Sequence, residues 1–334
     1  MSSRSECLLS IDETQKIHTN SFISKTKYTI KKVIKEGDFG SINLCVDKKG
    51  NEKIIKFLVK DSYKEEIQLN EYHIKTIKEF FSWNVNYQPF NRFNNILDHG
   101  QMNEMENSFI VYEKLGKNLN DVRKSYSKQQ VEPIKGLQIL LECISVINYL
   151  HNLGYVHRKI KPSSFCYRPS SNQQNPPIVL TNFEACCRIV DKNTSKNTST
   201  VTKILNSKNF KYCSINQQTP NTFYTPNDDI ESWYYVGILL FEGRLPWEDI
   251  KSGDDKKIKE SKKSLQNIKT NHFYVKTPDV FRCFVIDIFK KEARIDVNEL
   301  VNSMMKTITK YSRCNITDNS LLKSGNKEEG QKKG

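Results

Sequence analysis

The feature that most constrains the fold is an apolar ladder in the middle of the chain. Beyond Pro133, Leu137, Leu140, Leu141, Ile144, Ile147 and Leu150 recur at three- and four-residue spacing as far as His151. That period places them along one stripe of a helix, and a stripe this long must be covered by other elements. Pro133 suits the first turn and Gly154 suits a helix terminus, so the ladder predicts a long core helix that delivers the chain into Tyr155 to Phe165.

The chain before the ladder reads differently. Tyr28 to Ile34 is β-prone, KEGDFGS supplies a glycine turn, and Ile42, Leu44 and Val46 alternate with polar residues. A second turn, DKKGN, leads to the apolar strand KIIKFLV, so three strands with two glycine-bearing turns form a small sheet. KEEIQLNEYHIKTIKEFF has helix-compatible spacing with acidic residues early. A polar stretch follows, then the buried strand Phe109 to Tyr112 and the short connector Glu113 to Lys117.

After the ladder, RPSSNQQNPP reads as a turn and IVLTNF as a short strand. Residues 189 to 210 are rich in Ser, Thr, Asn and Lys and read as a mobile surface loop. Ile230 to Phe241 fits a buried helix, with further helices over Lys256 to Ile268, Val280 to Phe289 and Val297 to Thr309. Residues 1–25 read as a flexible extension and 312–334 as a disordered basic tail.

Composition narrows the function classes. The longest dense apolar run, Val236 to Phe241, is too short to cross a bilayer, and the N-terminus has neither the basic start nor the apolar block of a signal peptide. The expected compartment is the cytoplasm, with the nucleus as the other candidate. Nine cysteines without a Cys-x-x-Cys pair argue against a disulfide framework or a zinc ribbon. The net charge of +14 is spread along the chain as scattered lysines. No arginine-rich tract is interleaved with aromatics, so nucleic acid is not the expected partner.

The order of glycine turn, strand lysine, acidic helix, connector, His-Arg loop and Asn-Phe strand end resembles a protein kinase. Within that superfamily it is similar to the casein kinase 1 family, particularly its tau-tubulin kinase-like branch. The markers are EKLGKNLNDV at the connector, HRKIKPSSF, YCSIN, NDDIESWYY and Leu245-Pro246-Trp247, and they span roughly residues 28 to 300. The resemblance implies an α+β, two-lobed kinase-like fold over 26–311. A small β-rich lobe would cover about 26–113 and a larger, mainly helical lobe about 117–311.

It also implies roles, and several are unfilled. A phosphate loop corresponds to Gly37 and Gly40, followed by Ile42. The phosphate-pairing lysine corresponds to Lys56 and its helix carboxylate to Glu66, with Glu65 as the adjacent alternative; Glu113 and Leu115 fall at the nucleotide-facing connector. Ile54 stands where a small residue faces adenine, and Tyr112 where a gatekeeper lines the pocket. A kinase needs a carboxylate to accept the proton of the attacking hydroxyl and oxygen ligands for Mg²⁺. Here Lys159 replaces the base, Ser164 replaces the loop asparagine, and Asn182 replaces the metal-bridging aspartate, while Lys161, Arg158 and Asp229 are retained.

The resemblance therefore implies a pseudokinase with no intact catalytic residue, ATP as at most a weak ligand and no Mg²⁺ site. Its expected partners are proteins, among them an active kinase or acidic or phosphorylated segments. Lys211, Lys256, Lys257 and Lys259 form a candidate anion site, with scattered surface lysines as the alternative. The competing readings are an active but atypical serine/threonine kinase and a basic binder of nucleic acid or anionic lipid.

Overall fold

The computed structural model describes residues 27–37, 40–58, 92–94, 96–102, 107–169, 176–189, 211–219, 223–251, 253–290 and 294–328. The N-terminal extension, the helix expected over 64–81 with Glu66, and the 190–210 part of the expected loop lie outside these residues. The described residues fall into two compact units, 27–58 with 96–114 and 92–94 with 115–328.

The first unit is an antiparallel sheet of β1 (Tyr28–Gly37), β2 (Gly40–Asp47), β3 (Glu52–Leu58), β4 (Ile96–Met102) and β5 (Asn107–Glu113), in the order β1-β2-β3-β5-β4. Strand period two sorts its residues onto two faces. Ile55, Phe57, Phe109, Val111, Cys45, Ile30 and Tyr28 form its buried cluster. Strand β4 falls within a stretch that reads as polar and carried no strand expectation. Among the described residues it pairs only with β5, and polar character suits a strand at the edge of a sheet.

The second unit is mainly helical. Helix α1 (Leu119–Lys124) is capped by the Asn118 side chain, which accepts from the backbone N–H of Asn120 and Asp121. Helix α2 (Pro133–Asn152) is the apolar ladder, with Leu137, Leu140, Cys143, Ile144, Ile147 and Leu150 buried. Four short strands follow: β6 (Tyr155–Val156) pairs with β9 (Cys187–Arg188), and β7 (Phe165–Tyr167) with β8 (Ile178–Leu180).

Helix α3 (Pro226–Glu242) starts four residues before its apolar run, because Thr225 and Asp228 form a reciprocal capping box with Pro226 in the first turn. It packs against α2 so closely that a Cβ at Gly136 would lie 2.4 Å from Phe241 Cε1. Helix α4 (Asp255–Ser264) is shorter than the expected Lys256 to Ile268, and α5 (Asp279–Phe289) presents Phe281 to the rings of Trp233, Tyr234, Phe241 and Phe284.

Helix α6 spans Val297–Glu328 and so runs on through Ser312 into the stretch expected to be a basic tail. Its first turns are anchored by Val297, Leu300 and Met304. Ser312 to Ser324 contains neither proline nor glycine, so propagation from that anchored segment costs little. Among the described residues no helix is long and apolar enough to cross a membrane.

Candidate functional site

The His157 to Phe165 loop is held from beneath by one buried carboxylate. Asp229, in the first turn of α3, is wholly buried. It accepts from the backbone N–H of His157 at 2.7 Å and of Arg158 at 2.8 Å, from Tyr224 Oη at 2.9 Å, and pairs with His151 Nε2 at 2.9 Å. Burial pushes its pKa up, but the His151 bond and charge, together with His157, outweigh that and hold it below the usual carboxylate range.

His157 fastens the loop's other side. Its Nδ1 accepts from the Lys159 backbone N–H at 3.2 Å, which leaves Nε2–H to donate to the Thr181 carbonyl at 2.9 Å. Arg158 adopts a left-handed backbone with φ of 67°, and its carbonyl accepts from Gln217 Nε2 at 3.2 Å. From there burial alternates: Arg158, Ile160, Pro162 and Ser164 are buried, whereas Lys159, Lys161 and Ser163 are half-buried.

The two residues at the metal-ligand positions are engaged with backbone. Ser164 is fully buried and its Oγ donates to the Lys159 carbonyl at 2.8 Å. Asn182 sits just after β8 with φ of 67° and ψ of 53°, a conformation that asparagine tolerates better than most residues. Its Nδ2 donates to the Ser163 carbonyl at 3.1 Å, a bond that an ionised aspartate could not make. Next to it, Phe183 packs edge-on against His157 and Phe93, with ring centroids 5.4 and 5.3 Å apart. Among the described residues no three His, Cys, Asp or Glu side chains are grouped to hold a metal ion.

In the sheet unit, Gly37 stands opposite Gly40, Ile42 opposite Lys56, and Ile54 opposite Tyr112. Register therefore puts Ile42, Ile54, Lys56 and Tyr112 on one face, the half-buried one turned away from the Ile55 and Phe57 cluster. Glu113 stands opposite Lys53, and Leu115 belongs to the second unit, half-buried.

The expected anion site is largely paired within the protein. Lys211 bonds Glu248, Lys257 bonds Asp254, and Lys259 Nζ donates to Thr219 Oγ1 at 2.8 Å. Lys256 is exposed on α4. The residue missed from sequence is Lys262, which is fully buried. Its Nζ donates to the Cys213 carbonyl at 2.6 Å and lies 5.2 Å from the Tyr235 ring centre and 5.4 Å from that of Trp247. The signal was there: Ile258, Lys262 and Leu265 recur at helical spacing on the buried face.

Across from Lys262, Glu231 accepts from the Ile215 backbone N–H at 2.7 Å and from Tyr235 Oη at 2.5 Å. Burial pushes its pKa from 4.5 up to about 7, against the opposing pull of those bonds and of Lys262. The folded state then holds this proton more tightly than the unfolded chain, so Glu231's contribution to stability falls as pH rises from about 4.5 to about 7. Asp229 works in the opposite sense, since its stabilisation is lost only in acid, as pH drops through its lowered folded value. Melting temperature measured between pH 5 and 7.5 should decline more steeply in the wild type than in Glu231→Gln; equal slopes would remove the assignment.

Comparison with known proteins bears on this geometry. The family model described as protein kinase domain matches residues 28–319. Serine/threonine-protein kinase spe-6 of Caenorhabditis elegans is 27% identical over 48% of this chain and 41% of its own. A probable serine/threonine-protein kinase of Dictyostelium discoideum is 28% identical over 69% of this chain and 44% of its own. A casein kinase 1-like protein, HD16, of Oryza sativa is 25% identical over 54% of this chain and 24% of its own. The chain thus spans less than half the length of these three curated relatives. The solved structure of vaccinia related kinase 3 superposes with a TM-score of 0.68 at 13% identity, covering 89% of this chain and 93% of that one, which shows the shared fold of β-sheet lobe and helical lobe.

Proposed function

The chain belongs to the protein kinase domain family, and from that premise we propose that it is a casein kinase 1-like pseudokinase, acting through protein contacts as a scaffold or regulator with little or no phosphotransfer. The observation that carries this reading is the state of the three reacting positions. Lys159 stands at the base position, while Ser164 and Asn182 spend their side-chain donors on the carbonyls of Lys159 and Ser163. A positioned general base contributes roughly 10² to 10⁴ in rate, and a metal several kcal/mol of charge stabilisation. With both removed, the retained frame around Asp229 supports a shaped surface rather than a reaction.

A second reading, an active but atypical serine/threonine kinase, is favoured by the names of the relatives. Metal dependence separates the two. A ligand that binds the folded state stabilises it by RT ln(1 + [L]/Kd), about 2.7 kcal/mol at a hundredfold excess over Kd. At millimolar ATP, adding Mg²⁺ should therefore leave the melting temperature where ATP alone puts it. A further rise of several degrees with Mg²⁺ would favour the active enzyme.

A further inference from the structure

We propose that Glu231 is a proton-gated anchor for residues 211–219, holding that segment against α3 in acid and letting it open locally as pH rises to neutrality. The inference concerns the helical unit alone and is independent of the pseudokinase reading.

Residues 211–219 form turns rather than a strand or a helix, so side chains do much of the holding. The Ile215 N–H donates to Glu231 at 2.7 Å, Ser214 Oγ donates to Asp228 Oδ1 at 2.5 Å, and the Cys213 carbonyl accepts from Lys262 Nζ at 2.6 Å. The Lys211 carbonyl accepts from Trp247 Nε1 at 2.8 Å, and the Lys211 ammonium pairs with Glu248. Ionisable groups on α3 and α4 therefore stand at successive points along the segment.

Glu231 is the buried member of that set whose charge the site tolerates least. It lies inside the unit, and Ile215, whose N–H it holds, is only 2% exposed. The titratable groups facing it are Asp228 and Tyr235 on α3, Lys262 on α4 and Cys213 in the segment itself. Lys262 and the Tyr235 and Ile215 donors favour the carboxylate and Asp228 opposes it, but burial is the largest influence and pushes the carboxyl from 4.5 up to about 7. Burial also raises the Cys213 thiol and the Tyr235 hydroxyl. No neighbour gains a compensating charge as Glu231 ionises.

Protonation leaves the closed form intact. With its proton on Oε2, the carboxyl still offers Oε1 to both the Ile215 N–H and Tyr235 Oη. Lifting the segment withdraws the Ile215 N–H and admits water, which returns the carboxyl to its ordinary value of 4.5. Between 4.5 and about 7 the open form therefore binds fewer protons than the closed form. Opening then gains up to about tenfold per pH unit across that window and levels off above it.

Hydrogen exchange of the full chain, read by mass spectrometry on a peptide covering residues 211–219, tests this. Rates are divided by the intrinsic rate at each pH, which removes the ordinary acceleration of exchange by base. Protection of this segment should fall roughly thirtyfold between pH 5 and pH 7. In Glu231→Gln, which keeps an acceptor oxygen and cannot ionise, it should change less than about threefold. Tyr235→Phe removes a donor that favours the carboxylate, so it should move the midpoint of the fall to higher pH.

Urea distinguishes local opening from global unfolding, because only the latter exposes large surface. At pH 7, low urea should leave exchange of residues 211–219 unchanged while accelerating that of the α2 core around Ile144. The proposal is overturned if wild-type protection is flat between pH 5 and 7, or if Glu231→Gln keeps the wild-type slope. It is equally overturned if the segment exchanges with the protection and urea dependence of α2. None of these readings involves phosphotransfer, so they leave the pseudokinase reading to its own test.

Discussion

Asp229→Ala should lower the melting temperature by roughly 10 °C, because breaking a buried, hydrogen-bonded charge cluster costs about 3–5 kcal/mol and each kcal/mol moves a domain of this size by about 2–4 °C. The carboxylate is completely buried and satisfies two backbone N–H groups, one tyrosine hydroxyl and one histidine. Alanine leaves all four without their acceptor in a place water does not reach. The Asp229→Asn variant keeps one carbonyl oxygen and should fall between the two, so thermal denaturation should rank wild type above Asp229→Asn above Asp229→Ala. A loss under about 2 °C for alanine would mean that the loop is held by other bonds.

That bracket also shows how far sequence reasoning reaches. The ladder of α2 was legible because helical periodicity is a direct record of burial on one stripe, and every expected core position except Leu141, which is half-buried, is fully enclosed. Strand β4 was illegible because its exposure alternation turns Leu97 outward and puts Asp98 and Gly100 on the half-buried face, so no apolar alternation in the sequence records it. The helix α3 begins four residues ahead of its apolar run because Pro226 to Asp229 add no apolar stripe, and the Thr225 to Asp228 box that caps it is a matter of side-chain geometry.

In the site, the identities of Lys159, Ser164 and Asn182 were readable from register with Lys161 and Phe183, but their bonds were not. Nothing in the one-dimensional pattern says that Asn182 takes a left-handed backbone and donates to Ser163, or that Ser164 turns to Lys159. Lys262 was passed over because lysine is expected outside. Its burial is possible only because the Cys213 carbonyl, Glu231 and two aromatic rings surround the ammonium.

The second large effect concerns rate. Lys159→Asp restores a base but not the metal oxygens, and Asn182 remains bonded to Ser163, so the single variant should stay at background. Lys159→Asp with Ser164→Asn and Asn182→Asp supplies all three groups and should exceed the single variant by at least the roughly 10²-fold that a positioned base contributes once a metal is present. Strong activity in Lys159→Asp alone would show that the metal positions matter less than argued.

The measurement that bears most directly on the central claim is isotopic phosphate incorporation into casein by the purified wild-type chain, with ATP and either Mg²⁺ or Mn²⁺, beside Lys56→Met. The account predicts that the two proteins are indistinguishable from each other and from a protein-free control. Incorporation by the wild type that Lys56→Met abolishes would contradict it.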